Sequence, residues 1–284
     1  MFDRNRNRRS LMVHPALAIE GWEEAMASGA DIVCFDLEDG TAPERKDEAR
    51  RACLPCFARS APRAVLRSLR INSPRTADGL RDLLALLELE APPDGILLPK
   101  VEEPEEVRWV RDLLLPRHPD LELIPLIETP KGARRAHEIA RAAAEVSALF
   151  LGSVDYSGEL GTGMGWDALA PVRGQLVAAA AEAGIDCIDG PWLDADDLDG
   201  CAAEAERVSA LGFTGKASYD PQQIPLIHAA FTPSPAQIDH ARRLITAVEA
   251  SPTGSARVDG RSANKANAKA ARRLLALAER RGVV

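Results

Sequence analysis

Eight short runs of β-branched and apolar residues recur along the chain, each followed by a longer stretch of helical period, with no linker-like break between them. The runs are SLMVH (10–14), DIVCFDL (31–37), AVLRSLRIN (64–72), GILLPKV (95–101), LELIPLIET (121–129), ALFLGSVD (148–155), IDCIDG (185–190) and TGKASY (214–219). Strands that alternate with helices this regularly are parallel and buried on both faces, which accounts for their nearly continuous apolar character. The reading is α/β, a (βα)8 TIM barrel with a C-terminal helical extension. A doubly wound open sheet is the runner-up, but no Gly-x-Gly-x-x-Gly follows the first strand and no Walker loop is present. The barrel is expected over 1–231. From 232 the chain continues as PAQIDHARRLITAVEA, a Gly- and Ser-containing break near Ser251–Ser255 and a final basic helix from about Lys265 to Arg281.

Composition narrows the function. Lys plus Arg number 35 against 43 Asp plus Glu, a net charge of -8, so no general positive field draws the chain to nucleic acid or an anionic membrane. The N-terminal MFDRNRNRR is basic, but no apolar h-region follows it and no window has the roughly 20 apolar residues of a membrane span. Five cysteines, Cys34, Cys53, Cys56, Cys187 and Cys201, lack disulfide-framework spacing, and a cytoplasmic location is expected. Cys53 and Cys56 form a Cys-x-x-Cys, but Pro55 lies inside it and no thioredoxin-like strand precedes it.

In a barrel of this kind the C-terminal strand ends carry the chemistry. Strand two ends in Asp36, Glu38 and Asp39, strand three in Arg70 and Asn72, strand four in Lys100 and Glu102, strand five in Glu128 and Thr129, strand six in Asp155 and strand seven in Asp189. Glu128 and Asp155 close adjacent strands roughly 4.8 Å apart, so both can reach one cation, and Mg2+ suits two carboxylates completed by water and substrate oxygens. Glu38 and Asp39 would then hydrogen-bond the metal's waters, and Asp36, still inside the apolar run, would pair with a neighbouring cation. The competing reading is that each acid caps a helix or pairs with a nearby Lys or Arg. Five acids packed together would repel one another unless Arg70, Lys100 and a divalent ion offset them.

The segments ASGADIVCFDLEDGTAPERKDEAR, LRIN, GILLPKVE, PLIETPKGARRAHEIA, FLGSVDYSGELG, AAEAGIDCIDGP and ALGFTGKASYDPQQI, in this order and spacing, resemble the citrate lyase beta subunit-like branch of the HpcH/HpaI aldolase superfamily. The resemblance implies a Mg2+-dependent carbon–carbon lyase acting on a 3-hydroxyacyl-CoA such as malyl-, citramalyl- or citryl-CoA, or on a related free hydroxy acid. It implies Glu128 and Asp155 as metal ligands, Arg70 with Glu38 and Asp39 as the catalytic set, and Arg70, Lys100, Gly152 and Ser153 as substrate-binding. It further implies a homo-oligomer, trimer or hexamer, with the extension 232–284 as a lid packing on a neighbouring subunit. A malyl-CoA-type thioesterase and a non-catalytic subunit of a lyase assembly are the alternatives.

The chain departs from that family in three places. The first strand runs into His14-Pro15-Ala16-Leu17 instead of a basic coenzyme-side loop, Tyr219-Asp220-Pro221 stands for Ile-His-Pro, and the lid motif reads Gly260-Arg261-Ser262-Ala263-Asn264. Asn264 cannot carry the proton that the family's Asp carries. Asp259 offers a substitute carboxylate only if the lid shifts register. His14 is read as structural or as a rim contact, and Trp166 and Trp192 as pocket walls or subunit contacts. GELGTGMG (158–165) lacks phosphate-loop spacing. The terminal helix has an apolar stripe and a basic back, the pattern of a packing helix.

Overall fold

The apolar runs pair in sequence order, every strand parallel to the next, and β8 returns to β1 to close the barrel. The structure, a computed structural model, describes residues 5–62 and 64–284; Met1–Arg4 of the basic N-terminal run lie outside them. The strands are β1 Ser10–Pro15, β2 Ile32–Asp36, β3 Leu66–Arg70, β4 Gly95–Leu98, β5 Glu122–Ile127, β6 Ala148–Leu151, β7 Asp186–Asp189 and β8 Gly215–Ser218. Leu11, Ile32, Cys34, Leu66, Leu97, Ile124, Leu126, Ala148, Phe150, Ile188 and Ala217 form one buried cluster, as expected of strands covered on both faces.

The helices are α1 Trp22–Ala27, α2 Lys46–Cys53, α3 Ala77–Glu88, α4 Pro104–Leu114, α5 Pro130–Arg134, α6 Ala136–Ala140, α7 Ser153–Leu160, α8 Trp166–Ala183, α9 Leu198–Leu211 and α10 Ile224–Ala230. Several start on a side-chain cap the sequence supplies: Thr76 accepts from the Gly79 N–H, Thr129 from Gly132 and Asp197 from Gly200. At the N-terminal ends of the strands the fully buried Arg8 pairs with Glu122 and Asp186 at 2.7 and 3.2 Å. Arg9 pairs with Asp31 at 2.9 Å.

Residues 8–228 form one compact unit, and 229–284 with 5–7 form a second. In the second, α11 Pro235–Ala250 and α12 Lys265–Arg280 pack with a two-stranded antiparallel sheet, β9 Ser255–Val258 and β10 Arg261–Asn264, around Val248, Val258, Ala263 and Ala268. The sequence pattern marks 251–255 only as a break. The hairpin turns at Asp259-Gly260, both at positive φ, the residue pair a tight hairpin favours.

The strands end earlier than the apolar pattern suggests, and that moves one residue to another element. Asp155 is not at the end of strand six: β6 stops at Leu151 and Asp155 lies in the first turn of α7. Among the described residues no helix is long and apolar enough to cross a membrane.

Candidate active site at the strand ends

The site starts from a register. Asp36 and Arg70 are opposite one another in the parallel β2–β3 pair, so their side chains leave neighbouring strands at the same level. Arg70 grips Asp36 with two parallel bonds, Nε to Oδ1 at 2.7 Å and Nη2 to Oδ2 at 2.6 Å. The same two oxygens accept the backbone N–H groups of Glu38 and Gly40 at 2.8 and 2.7 Å. Asp36 therefore builds the turn that carries Glu38 and Asp39 over the barrel mouth. Gly40 is required there, since a Cβ would lie 2.5 Å from Asp36 Oδ2.

Glu38 is nearly buried, and its Oε2 is 3.1 Å from Arg70 Nη1. Its Oε1 accepts from Lys100 Nζ, which also stands 3.6 Å from Asp39 Oδ2 and 3.9 Å from Asp155 Oδ2. Arg70 Nη1 is 4.0 Å from Asp39 Oδ2. Burial raises the Glu38 carboxyl above its ordinary value despite Arg70 and Lys100.

Glu128 follows β5 immediately and is 1 % exposed. The Lys100 backbone N–H donates to its Oε1 at 2.6 Å. Oε2 lies over Gly152, where a Cβ would come within 2.3 Å of it, so only glycine leaves room for this carboxylate. Burial, and then the nearby Glu38 and Asp155 carboxylates, push its pKa up to about 8. Ser153 sits beside Gly152 with its Oγ buried and without a hydrogen-bond partner. The hydroxyl packs against Gly190, where a Cβ would stand 1.9 Å from it.

Asp39, Arg70, Glu128, Gly152, Ser153 and Asp155 all line one cavity of about 150 Å³, with Val13, Phe150, Pro191 and Tyr219 among its other walls. Glu38 and Lys100 are not part of that lining; they stand behind it, tied to Asp39, Asp155 and Arg70. Tyr219 is the one hydroxyl-bearing wall residue outside the site set read from the sequence. It directly follows β8, and that adjacency was the available signal. Burial raises its phenol pKa.

Other polar strand ends have structural roles. The Asn72 N–H and Nδ2 both donate to Asp82 of α3, at 2.7 and 2.8 Å. Glu102 pairs with Arg75 and Lys131, and Thr129 caps α5. Asp189 is fully buried between Arg173 and Lys216, at 2.8 and 2.9 Å. His14 bonds the Ala18 carbonyl at 2.9 Å and meets Phe35 edge-on, which is the structural alternative. Trp166 and Trp192 wall a second cavity of about 640 Å³. All five cysteines are buried and unpaired, and burial raises the thiols of Cys53 and Cys56, opposite to a reactive thiolate.

The departures flagged in the sequence are employed locally. Asp220 accepts from the Gln222 N–H at 2.8 Å and starts a short 3-10 turn. Asn264 is the N-cap of α12, accepting from Ala266 and Asn267. Asp259 is engaged by Arg243 and His240, which hold its carboxyl below the usual range and oppose a role as substitute proton carrier.

Among the described residues no group of three or more His, Cys, Asp or Glu is arranged to hold a metal ion. The Glu128–Asp155 pair still fits Mg2+ by chemistry. Its donors are all oxygen, and burial, with neighbouring acids adding to it, raises the Glu128 carboxyl; a hard divalent ion offsets the repulsion between the acids while taking its remaining ligands from water or substrate.

Comparisons with known proteins give the family of the chain. The sequence profile of HpcH/HpaI aldolase/citrate lyase matches residues 9–221. The chain is 35% identical over 277 residues to a (3S)-malyl-CoA thioesterase of Cereibacter sphaeroides, covering 95% of this chain and 94% of that protein. It is 32% identical over 256 residues to the citrate lyase subunit beta of Escherichia coli, covering 87% and 84%. Among solved structures, CitE of Mycobacterium tuberculosis in complex with magnesium, acetoacetate and coenzyme A superposes with a TM-score of 0.81 at 30% identity, over 97% of this chain and 99% of that one.

Proposed function

The chain belongs to the HpcH/HpaI aldolase/citrate lyase family, and from that premise we propose that it is a Mg2+-dependent lyase. It breaks a carbon–carbon bond in a 3-hydroxyacyl thioester such as malyl-, citramalyl- or citryl-CoA, or in a related free hydroxy acid. The observation that carries this reading is the pair Glu128 and Asp155 on the wall of one small cavity, with Glu128 pushed by burial and neighbouring acids to a pKa of about 8.

In this mechanism Glu128 is held ready: Oε1 is fixed by the Lys100 N–H and Oε2 lies over Gly152. Asp155 joins it from the first turn of α7. A bound Mg2+ supplies a Lewis acid for the substrate's oxygens. Arg70, locked by Asp36, presents a fixed positive charge to a substrate carbonyl or carboxylate, a preorganised arrangement that needs no rearrangement as charge develops. The Tyr219 phenol, on the cavity wall, offers a hydrogen-bond donor to a bound substrate. Asn264, whose amide caps α12, has no titratable group for acid–base chemistry.

A thioesterase reading has its own support, since the relative from Cereibacter sphaeroides is a (3S)-malyl-CoA thioesterase. There the same carboxylates and Arg70 would orient an attacking water toward the thioester carbonyl. Incubating the protein and Mg2+ with malyl-CoA, citramalyl-CoA and free hydroxy acids, while following glyoxylate, pyruvate and free thiol, separates the two. The lyase releases oxo acid without thiol. Thiol release without oxo acid selects the thioesterase, and neither product from any ester or free hydroxy acid rejects both.

A further inference from the structure

Lys100 differs from the other rim residues in its backbone. Its φ is 54°, in the left-handed region that a residue with a Cβ adopts only at a cost. Two hydrogen bonds hold it there. Its N–H donates to Glu128 Oε1 at 2.6 Å, and its carbonyl accepts from Arg75 Nη2 at 2.6 Å. Its ammonium, one-third exposed, bonds Glu38 and stands 3.6 Å from Asp39 and 3.9 Å from Asp155. One residue thus orients one candidate metal ligand through its main chain and approaches the other through its side chain.

We propose that Lys100 is a positioning residue that sets the divalent-cation affinity of this site and makes it depend on substrate. The N–H aims Glu128, while the ammonium keeps Glu38 and Asp39 in place and opposes a cation seated on Asp155. At separations of a few ångströms such like-charge opposition is large compared with thermal energy. A substrate carboxylate or enolate oxygen between the two cations removes the opposition, so metal and anionic substrate bind cooperatively. The inference rests on the Glu128–Asp155 metal reading and goes beyond it by naming what regulates that site.

Isothermal titration of Mg2+ into the full chain, alone and with saturating pyruvate as the anionic probe, tests this. Wild type should bind Mg2+ weakly alone and more tightly with pyruvate. Lys100→Met, which keeps the stem and the backbone N–H, should bind Mg2+ alone about tenfold tighter or better, with the pyruvate enhancement reduced by a similar factor. Lys100→Arg should stay close to wild type on both counts. If Lys100→Met does not fold by circular dichroism, Lys100→Gln gives the same readout with a polar group retained. Wild-type binding with no tightening in the neutral variant overturns the inference and leaves the metal reading intact. No Mg2+ binding by wild type under either condition overturns the metal reading and the inference with it.

Discussion

Two clusters of buried charge each start from an acid and a cation facing one another on neighbouring strands. In β2–β3 Asp36 faces Arg70, and in β7–β8 Asp189 faces Lys216. The β7–β8 cluster is closed by Arg173 and Glu204, two cations to two anions, with Lys216 3 Å or less from both acids and bonded to the Gly190 carbonyl as well. The β2–β6 cluster sets five carboxylates, Asp36, Glu38, Asp39, Glu128 and Asp155, against Arg70 and Lys100. In the balanced cluster the cations hold the Asp189 carboxyl below the ordinary range even though burial works against them. In the acidic one, burial and neighbouring acids push Glu128 to about 8. Charge balance marks a structural network. Excess of one sign beside a cavity marks a site built to receive the other.

The contrast breaks most visibly under substitution of the balanced cluster. Lys216→Met leaves Asp189 with one cation in a fully buried position, and chemical denaturation should show a loss of about 3 kcal/mol or more. Mg2+ affinity of the folded fraction should hardly change. A stability loss under about 1 kcal/mol would remove the distinction between the two clusters.

Glu128→Gln should act in the opposite sense, raising the melting temperature of the metal-free protein above pH 8 while lowering Mg2+ affinity. The shift from 4.5 to about 8, at ~1.4 kcal/mol per unit, caps the gain at about 5 kcal/mol. Because the folded pKa lies above the unfolded one, the folded chain keeps this proton between pH 4.5 and about 8. Stability from this group is therefore full below that window and falls as pH rises through it. Mg2+ affinity should rise across the same window, by at most about tenfold per pH unit, and level off above it. Flat affinity from pH 6 to 9 would mean that Glu128 ligates without losing a proton.

The alternation of apolar and helical segments was enough to read all eight barrel strands, because burial on both faces leaves a signal in every one of them. Their ends were less legible. Polar residues continue the apparent strand past the last ladder bond, so Asp155 reads as strand six although Gly152 has already ended it. Individual acids are ambiguous for a related reason. Asp189 and Glu128 look alike in sequence, and they part only because Arg173 arrives from α8 and Lys216 from β8, whereas Glu128 meets a backbone N–H and more acids. The left-handed backbone of Lys100 leaves no mark in composition or periodicity. The β9–β10 hairpin did leave one, the Asp-Gly pair at 259–260, but its strands are short and mostly exposed.

The smallest effect is expected at Asn264. Asp caps a helix as well as Asn does, so Asn264→Asp should change stability by under about 0.5 kcal/mol. A rise in turnover of a CoA ester would then be read as restored proton transfer, free of any folding artefact.

On the proposed function, the acid-rich cluster, and not the balanced one, holds a divalent ion. Electron paramagnetic resonance of Mn2+ titrated into wild type, Glu128→Gln/Asp155→Asn and Lys216→Arg measures it directly, through loss of the free-ion signal. One bound ion per chain is expected in wild type and in Lys216→Arg, and none in the double variant. Undiminished Mn2+ binding in the double variant would contradict it.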